Sequence, residues 1–169
     1  GAAPAAITIS DGATYNYGTV ASGSTTDKSF IVTNTGGVSA TAVSGGGLSA
    51  PFSFKGGTFP GTGGTCATSL TAGATCTIIV TYNPTTNTTH NGQIDITYTN
   101  GVSGQTVSRP VTGTAVPPAT ITISDGATYN YGTKANGSST DKTFTLTNTG
   151  SFTARSVRGS GLSAHYSFK

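Results

Sequence analysis

Cys66 and Cys76 are the only cysteines in this 169-residue chain. Nine residues separate them, a spacing that fits neither a zinc knuckle nor a redox CxxC pair. A tetrahedral zinc site would also need two more ligands, and His90 and His165 are the only histidines. A disulfide is the expected state, with two free thiols the alternative. Closing a loop of about 11 residues would contribute roughly 2.8 kcal/mol through chain entropy. Such a bond belongs to an oxidising compartment: a periplasm, a cell surface or the medium.

Other chemistry finds little support. Glu is absent, and the acids are Asp11, Asp27, Asp95, Asp125 and Asp141. Glycoside hydrolysis needs two carboxylates flanking a bond, but Asp11-Gly12 reads as a turn, and Asp27-Lys28 and Asp141-Lys142 read as solvated strand ends. No GxSxG nucleophile elbow occurs, and scattered aspartates do not converge as a calcium site requires. A Lys–Asp isopeptide crosslink would need a buried lysine beside an acid; Asp95, between Ile94 and Ile96, points outward instead. The expectation is a chain with no catalytic residues, no metal and no cofactor. Tyr15 and Tyr17, with Tyr129 and Tyr131, read either as an exposed aromatic contact patch or as one packed and one half-exposed ring per pair.

Those two tyrosine pairs reflect a repeat. Ile7–Lys55 realigns on Ile121–Lys169 without a gap, at an offset of 114 residues, and 34 of the 49 aligned positions are identical. That period is the size of a whole domain rather than of a solenoid unit. The expected organisation is a complete domain over 1–116 and the N-terminal half of a near-identical one over 117–169. The copies differ mostly over Gly37–Phe52, where Arg155, Arg158 and His165 replace Thr41, Ser44 and Pro51. That strip is a candidate contact or inter-domain surface. Pro117-Pro118 joins the copies with almost no Gly or Ser slack, which restricts their relative angle.

Only 8% of the residues are charged, and the net charge of +3 lies wholly in the second copy. Nucleic-acid binders cluster Lys and Arg with aromatic platforms; nothing here does, so no nucleic-acid partner is expected. No run of 18 apolar residues exists to span a membrane as a helix, and no charged segment followed by an apolar one opens the chain as a signal peptide would. Abundant Thr, Val and Ile, with 7 Tyr and 7 Phe, suit pleated sheets rather than disorder.

No segment keeps a 3.6-residue period; several alternate with a period of two between turn residues. Strands are expected at Ala6–Ser10, Thr14–Gly18, Lys28–Asn34, Val38–Ser44, Phe52–Phe54, Thr75–Asn83, Gln93–Thr99 and Gln105–Ala115. Asn34-Thr35-Gly36-Gly37 reads as a turn and Asn100-Gly101 as a hairpin. So many strands without helices argue for an all-β, antiparallel immunoglobulin-like β-sandwich, a closed barrel being the alternative.

The strands carry a signature. Tyr17-Gly18-Thr19-Val20, then Gly23, then Phe30-Ile31-Val32-Thr33-Asn34-Thr35-Gly36, resembles the pattern of ASH/Hydin-type immunoglobulin-like domains, with Tyr17 where that family usually has Phe. Bacterial surface proteins with choice-of-anchor D domains carry the same signature. Their downstream pattern resembles Cys66, Leu70, Gly73 and Cys76-Thr77-Ile78-Ile79-Val80-Thr81-Tyr82-Asn83-Pro84. The resemblance implies a secreted or surface bacterial protein, often tandem, with no family catalytic residues.

Two functions follow as expectations. One is a structural stalk, fibre or filament of repeated domains, whose partners are further copies of itself. The other is an adhesin whose loops, such as Gly56–Gly64, contact a surface glycan or protein.

Overall fold

A computed structural model describes residues 1–169, which separate into two compact units, Gly1–Val116 and Pro117–Lys169. In the first, β1 (Ile7–Ile9), β2 (Tyr15–Ala21), β3 (Thr26–Asn34), β4 (Ala40–Gly46), β5 (Phe52–Phe54), β6 (Ser69–Leu70), β7 (Thr75–Tyr82), β8 (Thr89–Thr99) and β9 (Gly104–Val116) form two sheets. Their orders are β1-β3-β7-β5 and β2-β9-β8-β4-β6. Inward residues of both sheets share one core.

The sequence explains the layering. Phe30 and Val32 of β3, Cys76, Ile78, Val80 and Tyr82 of β7, and Ile94, Ile96 and Tyr98 of β8 are all buried. Each set falls on alternate positions, so one face of each strand is apolar. Fully burying a side chain such as Phe30 stabilises the fold by roughly 1.5–3 kcal/mol. With β1 and β2 taken as a split first strand, the two sheets hold the strand sets of an immunoglobulin-type sandwich.

The structure corrects the all-antiparallel expectation at one place. Asp11 and Gly12 both adopt positive φ, 72° and 73°, and this turn carries the chain from one sheet to the other. β2 therefore lands beside the last strand and pairs with β9 in parallel. Elsewhere the expected strands hold within a few residues; β8 starts at Thr89, four residues before Gln93. The short β6 was not expected. Asn100-Gly101 does make the β8–β9 hairpin, but as a four-residue loop closing on Thr99↔Gly104. There Asn100 Oδ1 accepts the Val102 and Ser103 amides.

Asn34, the last residue of β3, ties the two sheets together at one end. It is fully buried. Its Oδ1 accepts the Ala6 and Gly36 amides at 3.1 and 3.0 Å, and its Nδ2 donates to the Val38 and Leu70 carbonyls at 2.8 and 3.0 Å. One side chain thus joins the chain ahead of β1, the β3–β4 turn and β6, with every hydrogen-bonding site used.

The second unit has two strands, β10 (Ile121–Ile123) and β11 (Leu146–Asn148). They pair as Ile121↔Asn148, Thr122↔Thr147 and Ile123↔Leu146, each 114 residues beyond Ile7↔Asn34, Thr8↔Thr33 and Ile9↔Val32.

Candidate functional site

Cys76 lies on the buried face of β7, and Cys66 closes onto it as a disulfide with Cα atoms 4.8 Å apart. The bond fixes the preceding loop against the stretch of the β7 edge that β5 leaves unpaired. Along that edge, the Ile79 amide donates to the Pro60 carbonyl at 2.8 Å and the Thr65 amide to the Thr77 carbonyl at 2.9 Å. A Cβ on Gly61 would collide with the Ile79 carbonyl, and Gly61 has φ 90°. So Gly61 serves close backbone approach. The Gly56–Gly64 loop, which the adhesin alternative offers for binding, together with Thr65 and Cys66 covers this stretch of the β7 edge and keeps it from pairing with another chain.

The tyrosine pair divides. Tyr17 is buried and donates its hydroxyl to the Val80 carbonyl at 3.0 Å. Its ring packs on Phe52 and Tyr82, which stack with centroids 4.7 Å apart. Of the pair, only Tyr15 reaches the surface, half-buried, edge-on to Tyr17 and Phe30. Lys28 lies 4.9 Å over the Tyr15 ring and 2.7 Å from Asp11. The second unit repeats this cluster: Lys142 on Asp125 at 2.7 Å and over Tyr129, Tyr129 edge-on to Tyr131, and Tyr131 against Tyr166. Tyr129, Arg155, Arg158 and His165 are exposed and Tyr131 half-exposed.

Asp11, Asp27, Asp125 and Asp141 are spent on ion pairs, and Asp95 accepts hydrogen bonds from Gln93 and Ser108. The Asp11 carboxyl is held below its ordinary range, chiefly by the Lys28 hydrogen bond and then by Ser10; Lys55 and Thr81 do the same to Asp27. An ionised carboxylate offers an amine no electrophile, so the Lys28–Asp11 contact is an ion pair and not a poised crosslink. His90 hydrogen-bonds Tyr82 through Nδ1 at 2.9 Å and Thr86 through Nε2 at 3.0 Å, a structural assignment for that ring. No group of three His, Cys, Asp or Glu side chains converges as a metal site.

These shifts predict a pH profile. The folded state holds fewer protons on Asp11 and Asp27 than the unfolded chain. Their contribution is therefore full above an unfolded pKa of about 3.9 and fades as pH falls through the lower folded values. At the alkaline end, burial, with Tyr15 and Asp27 adding charge, raises the Tyr17 phenol. The unfolded chain then ionises first, and stability falls above about pH 10. Denaturant melts from pH 2 to 11 should show both limbs. Asp11→Asn should flatten the acid limb by under about 1 kcal/mol, and Tyr17→Phe the alkaline one. A flat profile in the parent would contradict the pairing.

The surface hollow at Leu48, Phe54 and Phe59 has a volume of about 500 Å³ and no acid, base or amide side chain in its lining. Its side-chain polar groups are the Ser49, Ser53 and Thr58 hydroxyls alone, with no charged or amide group to fix a specific ligand.

Neither a family model nor a curated protein matches this chain. Among solved structures, the VesB protease of Vibrio cholerae aligns at TM-score 0.52 with 15% identity, over 64% of this chain and 31% of that one. A protein of unknown function from Porphyromonas gingivalis W83 aligns at TM-score 0.50 with 12% identity, over 65% of this chain and 46% of its own. The chain thus spans less than half of either. An ASH/PapD-like domain of human CEP192 aligns at TM-score 0.49 and 15% identity, over 66% of this chain and 86% of that domain. At these identities, what the first two share with this chain is fold.

Proposed function

We propose that this chain is a non-catalytic structural component of an extracellular or cell-surface fibre, stalk or filament. It would be built from tandem immunoglobulin-like domains of the ASH/Hydin and choice-of-anchor D type, with further copies of the same domain as its partners. The observation that carries this reading is the recurrence of the same strand pairing, ion pair and aromatic cluster 114 residues along the chain.

The junction supports it. Val116 accepts the Ser22 amide at 2.8 Å within the first unit, and Pro117, the next residue, accepts the Phe152 amide at 3.1 Å within the second. In sequence, Pro117-Pro118 joins the two copies with almost no Gly or Ser slack. A short linker of that kind suits a continuous array better than a flexible display of binding heads. The Cys66–Cys76 bond agrees with an oxidising location outside the cytoplasm.

One observation favours the adhesin reading: nine of the fifteen differences between copies fall in Gly37–Phe52, and Arg155, Arg158 and His165 are exposed. It would make that strip a docking surface for a glycan or protein. Antibodies against Gly1–Val116 should label intact source cells in the structural reading, with repeating epitopes along extended projections. Labelling that appears only after lysis would contradict it. Retention of the chain on immobilised glycans, lost on Arg155→Ala with Arg158→Ala, would select the adhesin instead.

A further inference from the structure

The β7–β8 connection carries a motif that the fold leaves unused. Asn87-Thr88-Thr89 matches the Asn-x-Ser/Thr acceptor of N-linked glycosylation, and Thr88 is not the proline that would block it. Thr-rich chains produce such triplets by coincidence; the loop distinguishes this one. Residues 85–89 are all exposed. The backbone around them is anchored: the Gly23 amide donates to the Pro84 carbonyl at 2.7 Å, and the Ala115 amide to the Thr88 carbonyl at 2.9 Å. Two of the side chains are engaged as well, Thr86 with His90 at 3.0 Å and Thr89 with Thr114 at 3.0 Å. The Asn87 carboxamide takes part in none of these bonds.

That sets Asn87 apart from the other turn asparagines of the first unit. Asparagine favours turns because its side chain bonds the backbone two residues on. Asn16, Asn34 and Asn100 do so, accepting the Gly18, Gly36 and Val102 amides. Asn87 caps nothing. Asn83 and Asn91 are exposed too, but neither heads the motif: Pro84 follows Asn83, and Gly92-Gln93 follows Asn91 without a hydroxyl. Asn136-Gly137-Ser138 also matches, but its counterpart in the first unit, Ser22, is half-buried with its amide on the Val116 carbonyl.

We propose that Asn87 is an N-glycosylation site, the acceptor of an oligosaccharide delivered on a polyprenyl diphosphate by a transferase outside the cytoplasm. This rests on the extracellular or cell-surface location proposed above. Asn87 Nδ2 forms a bond to the anomeric carbon of the sugar. The bond from that carbon to the phosphate oxygen breaks, polyprenyl diphosphate leaves with the electron pair, and the Nδ2 proton passes to a base of the transferase. The product has a physical use. The first unit balances Lys28, Lys55 and Arg109 against Asp11, Asp27 and Asp95, and a surface without net charge promotes association. A bulky, solubilising glycan on an exposed loop keeps such surfaces apart without charge.

The test takes the protein from its source, reads the redox state of Cys66 and Cys76 by alkylation, and cleaves with chymotrypsin after Tyr82 and Tyr98. Fragmentation of the Asn83–Tyr98 peptide should place a carbohydrate mass on Asn87 in most molecules. In the source cell, Asn87→Gln and Thr89→Val should each abolish the modification, while Thr89→Ser and Thr88→Val should keep it. A bare Asn87 in a chain whose Cys66–Cys76 bond is oxidised overturns this proposal alone. Carbohydrate on a Thr hydroxyl of the same peptide, with Asn87 bare, overturns it too. A bare Asn87 in a chain whose two cysteines are free thiols overturns both this proposal and the location on which it rests.

Discussion

Asn34→Leu should destabilise the Gly1–Val116 unit by about 3–5 kcal/mol. The substitution leaves the Val38 and Leu70 carbonyls and the Ala6 and Gly36 amides without their partner. Each buried group left unsatisfied costs about 1–3 kcal/mol, and the partly wet ones cost least. For a unit of this size the melting midpoint should fall by roughly 10–20 °C. The matched change Asn148→Leu, at an exposed position, should cost no more than about 0.5 kcal/mol. Denaturant unfolding of both variants, followed by tyrosine fluorescence and circular dichroism, checks the pair. Equal losses at the two positions would show that burial does not distinguish these asparagines.

The second large effect belongs to the disulfide. Cys66→Ser with Cys76→Ser, or reduction of the parent, should cost about 2.8 kcal/mol if the loop-entropy account holds for a sequence separation of 10. The loss should have a local signature. The loop reaches β7 through the Ile79 amide on Pro60 and the Thr65 amide on Thr77, so these two amides should exchange faster before the rest of β7 loosens. Uniform acceleration across the sheet would mean the bond acts on the whole fold and not on the edge cover.

The sheets were legible because the pattern that marks a strand is the one that buries it. Phe30 and Val32, the alternate residues of Thr75–Asn83, and Ile94, Ile96 and Tyr98 announce an inward face in sequence, and each lies in the core. Tyr17 was legible in kind, as one packed ring of a pair, but not in partner, because its bond to Val80 spans 63 residues. Long-range pairing also hid β6, two residues long, whose carbonyl is defined by what Asn34 needs. Asn34 itself looked like a turn residue because the local context Asn-Thr-Gly-Gly is a turn; its second role lies in contacts 28 and 36 residues away. The parallel β2–β9 pair was missed for the same reason: a period of two reports which face is buried, not which neighbour a strand takes.

The glycine-rich loop teaches a related lesson. In sequence, Gly56–Gly64 reads as a loop open to contact a partner in the adhesin alternative. In the fold, Gly61 is pressed against the Ile79 carbonyl of β7, and Gly64 against the Pro60 carbonyl of its own loop and the Thr77 carbonyl of β7, so a side chain at Gly61 would push the cover off. Glycine marks either freedom or close approach, and only the neighbouring strand tells which.

The account's central claim is an array of this domain, and the intact mass of native material tests it most directly. The material should come from the source, boiled in denaturant and reductant, so that only covalent continuity is weighed. The account predicts a mass well above 16.7 kDa, with the sizes of the native species forming a ladder in steps of about 114 residues. A single species of 16.7 kDa with no such ladder would contradict it.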